Sequence, residues 1–210
     1  DDFDDRDICE LDCDISCELS SLWMNAPLPA NQWLVNYGET ATEATGPDGD
    51  ISTYGSYIYV ESSQNNCGFE SAAILETDCM EIFSNNDGCD FSFYFSMNGV
   101  DAGTLKFEVT TDDGNNWQTL FEENGDQGSD WLKANIDLKD YAGYVGRFRF
   151  KTEVGNNSGE RGDIALDRLV FYGSNRVVEA QYLFYEDQDS DNYGADINPS
   201  FFCSNTLVEG

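Results

Sequence analysis

The 210-residue sequence contains no histidine and only ten lysines and arginines. Without His there is no Ser–His or Cys–His nucleophile pair and no imidazole metal ligand. With 41 acidic residues and a net charge of -31, the chain lacks the basic footprint that phosphate backbones require. Nucleic acid is therefore excluded as a partner, and a bare anionic membrane or sulfated polymer is disfavoured unless a cation bridges the two. No run of apolar residues is long enough to cross a bilayer, and no signal-peptide pattern occurs. The seven cysteines include no Cys-x-x-Cys pair, so a zinc site lacks its matching half. Cys9, Cys13 and Cys17 stand four apart among acidic residues. Acidic neighbours raise a thiol pKa, so disulfides in an oxidising compartment are the better reading than thiolate chemistry. An odd cysteine is left over, as a free thiol or as half of a bridge to a residue outside the sequence.

The charge is uneven. Residues 1–18 hold nine acids against Arg6, and the tail from Phe184 onward holds six acids and no base. In that tail Asp187, Asp189 and Asp191 alternate with Gln188, Ser190 and Asn192, and Gly194 supplies a turn. Alternating carboxylates aim several oxygens into one short loop, which suits calcium, with its six to eight oxygen ligands. Tyr193 would add a backbone oxygen and Asp196 would complete the shell. The competing reading is a solvated acidic linker.

Between these ends the pattern is all-β. Short aromatic and β-branched runs at 33–37, 56–62, 72–76, 89–97, 104–111, 117–121, 132–138, 146–154 and 163–172 are separated by Gly/Asn/Asp turns. Phe91, Phe93 and Phe95 alternate with Ser92, Tyr94 and Ser96; Phe148 and Phe150 alternate with Arg147, Arg149 and Lys151. Antiparallel sheets with one wet face read this way. About nine strands predict a two-sheet antiparallel sandwich, a jelly roll, carrying the acidic loop as an appendage. One strand breaks phase: Ile164 and Leu166 are followed by Leu169 and Phe171. A β-bulge at Asp167-Arg168 produces that slip and re-aims Asp167.

An ordered series of residues resembles the MAM domain, the adhesive module of meprin, A5 antigen and receptor phosphatase mu. It runs from Cys17-Glu18-Leu19, Trp23 and Trp33 through Gly55-Ser56-Tyr57-Ile58-Tyr59-Val60-Glu61-Ser62. It continues through 89–99, Gln127-Gly128 with Trp131, and Gly162-Asp163-Ile164-Ala165-Leu166-Asp167. The resemblance implies a jelly roll over residues 17–180, no catalysis, and a structural cation near the closing aspartate. Its ligands would be Asp167 and the opening acid Glu18, with Asp48 and Asp50 from the preceding loop. Arg168 stands where the family usually has a second aspartate. The segment Thr111-Asp112-Asp113-Gly114-Asn115-Asn116-Trp117 is also similar to adhesin-type jelly rolls of secreted bacterial proteins. The tail, 181–210, resembles a thrombospondin type 3 repeat, and residues 1–16 would be a linker or the end of a similar upstream unit.

Cys67 and Cys79 flank one predicted strand and would close a local loop. Cys89 matches a family cysteine that pairs outside its strand, with Cys203 or one of Cys9, Cys13 and Cys17. Arg161-Gly162-Asp163 spells an integrin tripeptide but coincides with the start of the last strand, which argues against that role. Tyr54, Tyr57, Tyr59 and Tyr94 are candidates for a flat strip that stacks on sugar rings. These features predict a non-enzymatic, calcium-binding piece of a secreted, multidomain, bacterial-type protein at the cell surface or beyond. Its partners would be a surface glycan or protein and the neighbouring domains of its own chain. A calcium-rigidified spacer with no ligand of its own is the alternative. An enzyme is the remaining class: among 41 acids some carboxylate pair will always be close, so no glycosidase can be read from that alone.

Overall fold

Alternation of apolar and polar side chains puts one face of each strand in a core, and the strands form where it occurs. The computed structural model describes residues 1–9, 16–27, 31–52, 54–63, 72–82, 89–153 and 159–172, and the backbone of strands at 176–177, 182–184 and 200–202. In chain order the strands are β1 (Trp23–Asn25), β2 (Leu34–Asn36), β3 (Tyr57–Val60), β4 (Ala72–Thr77), β5 (Met80–Glu81), β6 (Asp90–Met97) and β7 (Thr104–Thr110). They continue as β8 (Gln118–Asn124), β9 (Gly128–Asp137), β10 (Val145–Glu153), β11 (Ile164–Tyr172), β12 (Arg176–Val177), β13 (Tyr182–Phe184) and β14 (Ser200–Phe202). A single 3-10 turn, Lys139–Tyr141, is the only helical element among the described residues.

Two antiparallel sheets make a sandwich. One follows the order β2-β3-β11-β6-β9. The other places β10 at its centre, between β4 and β7, with β1 beyond β4, β8 beyond β7, and β5 and β12 along its end. β13 and β14 pair only with each other. The predicted strands are all present. β1, β5, β12, β13 and β14 are additional, and at two or three residues they are too short to show alternation.

The core is largely aromatic. Phe91, Phe93 and Phe95 of β6 face Phe107 of β7 and Phe148 and Phe150 of β10, all buried. Phe91 stacks on Phe107 with centroids 4.6 Å apart and lies 4.3 Å from Phe171; Phe93 meets Phe150 edge-on at 4.8 Å. Offset and edge-to-face pairs of this kind add to the stabilisation from area burial. Trp23 closes one end against Phe91, Phe150 and Phe171. The chain start packs onto the sandwich: Phe3 is fully buried in the core, and Asp1 exchanges two backbone hydrogen bonds with Leu169.

The phase slip predicted at Asp167-Arg168 is a β-bulge. The β11–β6 register shifts between Asp167 and Val170, and Arg168 takes φ +50°. That left-handed conformation is uncommon for a branched-free side chain outside glycine, and it lets Leu166 and Leu169 both enter the core.

Arg147 and Arg149 of β10 each carry an ion pair on the outer face of their sheet. Arg147 lies 3.4 Å from Glu76 and 3.6 Å from Asp113, and Arg149 lies 2.6 Å from Glu108 with its guanidinium 4.0 Å above Trp117. The turn between β7 and β8 is tied by Asp112, which accepts from Thr110, from the Asn116 backbone and from the Asn116 amide. These bonds hold its carboxyl below the usual range.

Candidate functional site

The outer face of the β2-β3-β11-β6-β9 sheet is not the wet face that the alternation suggested. The segment 37–56, with residue 53 outside the described set, lies across it as a roof. The Trp131 indole of β9 donates to the Gly49 carbonyl at 2.8 Å, and the Ile51 amide donates to Asp167 Oδ2 at 3.1 Å. The Thr45 hydroxyl donates to the Asn98 carbonyl and accepts from the Asp163 amide. Gly99 makes the last contact feasible: at φ +134° it approaches the Arg161 carbonyl so closely that a β-carbon would collide with it.

This roof explains the fate of the predicted tyrosines. Tyr57 is fully buried; its hydroxyl donates to the Gly38 carbonyl and accepts from Asn36, and burial drives its pKa well up. Tyr57 is therefore structural, which corrects its assignment to a stacking strip. Tyr59 packs half-buried against Tyr57, and Tyr94 lies half-buried under the Lys133 ammonium, 5.6 Å from the ring centre. Tyr54 is 85% exposed but stands apart from that face. The four do not form one strip.

What the roof does create is a cleft of about 310 Å³ at its edge. The half-buried Trp131 and the exposed Tyr37 line it, together with Asp48, Asp50, Ser129 and Asp130. The sequence reading missed Tyr37 and Asp130 because neither sits in a motif; the long 37–56 connection was the available signal.

Carboxylates also collect beneath the roof. The alternation of β3 and β11, carried one residue past the end of β3 and one ahead of β11, puts Glu61, Asp163 and Asp167 on the roofed side, and all three are buried, as is Asp50. Burial pushes Asp167 up to about 7; the Asp50 charge adds to this, while the Ile51 and Arg168 amides and the Arg168 charge oppose it. Asp163 is pushed up to about 6, first by burial and then by Glu61, against hydrogen bonds from Ser62 and Thr40. Asp163, being fully buried, cannot serve an integrin-type tripeptide.

Asp4 approaches Asp50 beside Gly55. Asp4 Oδ1 accepts from the Ser56 amide at 3.0 Å, and a β-carbon at residue 55 would collide with Asp4 Oδ1 and Asp50 Oδ2. Asp50 in turn accepts from the amide and the hydroxyl of Ser52. The oxygen-only donor set suits a hard cation, and the missing side chain at Gly55 is the space in which the carboxylates meet. The acid that joins Asp50 is Asp4, whereas Glu18 is exposed just ahead of β1. Phe3, buried in the core, brings the chain start to that place. Asp48 is exposed at the cleft mouth. Among the described residues no three acidic or cysteine side chains are gathered tightly enough to enclose a metal as they stand. Asp187, Asp189, Asp191, Tyr193 and Asp196 lie outside the described residues, as do Cys67 and Cys203.

Cys9 and Cys17 form a disulfide. Cys79 is also disulfide-bonded, to a residue outside the described set. Cys89 is a free, buried thiol, which corrects the expectation of a partner for it. It packs into the hydrophobic core, and burial raises its pKa. Among the described residues no helix is long and apolar enough to cross a membrane.

Comparison with known proteins bears on this arrangement. "MAM domain-containing protein 2" of Homo sapiens is 28% identical over 142 residues, 67% of this chain and 20% of that protein. "Neuropilin-1" of Xenopus laevis is 28% identical over 152 residues, 70% of this chain and 15% of that protein. The chain thus spans about a fifth or less of the length of these curated relatives. The cleaved adhesin domain of Lys-gingipain from Porphyromonas gingivalis W83 superposes with a TM-score of 0.47 at 15% identity, covering 80% of this chain and 94% of that one. The family model for the MAM domain, meprin/A5/mu, matches residues 2–175, and the chain belongs to that family of adhesion-type modules.

Proposed function

We propose that this MAM module is a non-catalytic, calcium-rigidified recognition domain of an extracellular or cell-surface protein, and that the cleft at the roof edge takes a neutral glycan. The cleft carries this reading. Trp131 and Tyr37 offer aromatic surface for the apolar faces of sugar rings, and Asp48 and Asp130 offer acceptors for their hydroxyls. With no base lining it, the cleft would repel anionic ligands. On a glycan array, Tyr37→Ala is expected to lower binding at least tenfold while leaving the melting temperature within a few degrees, whereas Trp131→Ala, which also removes the hydrogen bond to Gly49, should lower both. An array with no neutral glycan bound by the intact protein would leave the calcium-rigidified spacer. On the roofed sheet face, Tyr57 buried beneath the roof leaves no stacking strip, which favours the spacer there.

In this reading Asp4, Asp50 and Asp167 hold calcium under the roof, with Asp48 at its margin. The ion would offset their mutual repulsion and fix the segment that shapes the cleft. Asp187, Asp189, Asp191, Tyr193 and Asp196 form a separate proposed calcium loop. Asp167→Asn is expected to lower the melting temperature in millimolar calcium by roughly 5 °C or more, since a ligand that binds only the folded state stabilises it. In chelator at pH 7.5 the same change should instead raise the melting temperature by several degrees, because it removes a buried charge whose folded pKa is pushed up to about 7. Equal losses in both would remove Asp167 from the ligand set.

A further inference from the structure

Under the same roof, at the opposite end of the outward-facing positions of β11, two carboxyl groups remain unexplained. Asp163 is 0% exposed and Glu61 5%. Each uses one oxygen. Asp163 Oδ1 accepts from the Ser62 amide at 2.9 Å and from its hydroxyl at 3.0 Å. Glu61 Oε1 accepts from the Ser63 amide and hydroxyl at 2.8 and 2.7 Å. The other oxygen of each, Asp163 Oδ2 and Glu61 Oε2, is buried without a hydrogen-bond partner. The two groups feel each other: Glu61 is the foremost charge acting on Asp163, and no base is among the main influences on it. Thr40 adds a hydroxyl oxygen beside Asp163, and its one proton is divided between Asp163 and the Thr45 carbonyl, 3.0 Å away.

A buried carboxylate oxygen with no partner costs several times what an ordinary hydrogen bond contributes, and here two occur together. The surrounding donors are already committed: the Ser62 hydroxyl to Asp163, and the Thr45 hydroxyl to Asn98. One shared proton would bridge the pair but leave a net negative charge buried with no counter-ion. A divalent ion neutralises both.

We propose that Glu61 and Asp163, with the Thr40 hydroxyl, form a second cation site for a hard, oxygen-seeking divalent ion of the calcium type. Backbone carbonyls and water would complete its shell. Asp163 and Asp167 are four residues apart along β11, about 13 Å at strand rise, so this site does not share ligands with the Asp4–Asp50–Asp167 group and does not depend on it.

The test is calcium titration by calorimetry on the chelator-stripped full chain, with wild type, Glu61→Gln, Asp167→Asn and the double variant. Glu61→Gln is expected to lose one equivalent from wild type, and to lose one again in the Asp167→Asn background. A loss in Glu61→Gln but none in Asp167→Asn would support this site while removing the other. Unchanged stoichiometry in Glu61→Gln, with a higher melting temperature in both calcium and chelator, would overturn the proposal and assign the pair a shared proton. If Glu61→Gln fails to fold, terbium alone is added to Asp163→Asn and to wild type. Tyr57, which feels the Asp163 charge, should sensitise emission in wild type and lose most of it in the variant. Equal emission from the two would also overturn the site.

Discussion

Stripped of divalent ions, the protein is expected to melt higher at pH 5.5 than at pH 7.5, the reverse of ordinary acid denaturation. Folding raises Asp163 from 3.8 to about 6 and Asp167 from 3.8 to about 7, in both cases mainly by burial. The folded state therefore holds more protons than the unfolded state between about pH 4 and pH 7. A carboxyl with a raised folded pKa contributes its stability fully below the unfolded value and loses it as pH rises through the folded one. Applied to both groups, that linkage gives about 2–3 kcal/mol between the two pH values, on the order of 5–10 °C for a domain of this size. Asp167, with the higher folded value, supplies the larger share, so Asp167→Asn should abolish more than half of the difference. Saturating calcium should reverse the order, because cation binding requires the carboxylates ionised. Melting curves at the two pH values, with chelator and with calcium, check all three statements. A metal-free protein that melts lower at pH 5.5 would mean that burial under the roof does not govern these acids.

The second large effect lies in the core. Phe91→Ala is expected to cost about 3–5 kcal/mol, a third or more of the stability of a typical domain. Phe91 is fully buried and touches Trp23, Phe93, Phe107, Phe150 and Phe171. Those neighbours come from β1, β6, β7, β10 and β11, in both sheets, so no single strand can shift to fill the void. Phe121→Ala, in half-buried surroundings on the edge strand β8, should cost less than half as much. Urea unfolding of the two variants measures the contrast, and equal losses would show that the aromatic cluster tolerates a cavity at its centre.

Sheet pairing was legible where side chains alternate. The Phe91-Phe93-Phe95 row, the Leu105-Phe107-Val109 row and the slip at Asp167-Arg168 each obey a local rule, and each is present. The site was harder to read, because it is built by a connection folding back rather than by a strand. Nothing in the order of residues 37–56 says that they will cover Tyr57 and Ala165 instead of projecting into water. Tyr57 and Tyr59 alternate as a solvent face would, and only the Trp131–Gly49 hydrogen bond and the roof above them reveal otherwise. Glu18 sits beside Cys17 as an opening acid should, yet the acid beside Asp50 and Gly55 is Asp4, next to the buried Phe3. Loop closure is a long-range event, and short motifs carry no record of it.

The position of β11 also governs the order in which the molecule is assembled. It lies at the centre of its sheet, between β3 and β6, with Leu166 opposite Ile58 on one side and Phe95 on the other. It is nevertheless made after every strand it joins. During synthesis β2-β3 and β6-β9 are two fragments with no shared strand, and the phenylalanine row waits without its cover. Such long-range pairing is slow, because the chain entropy of closure is spent before the contacts form. A nascent chain halted before residue 164 is therefore a target for proteases and holdase chaperones. Arrival of β11 joins the two halves and sets the roofed acids in place in the same step.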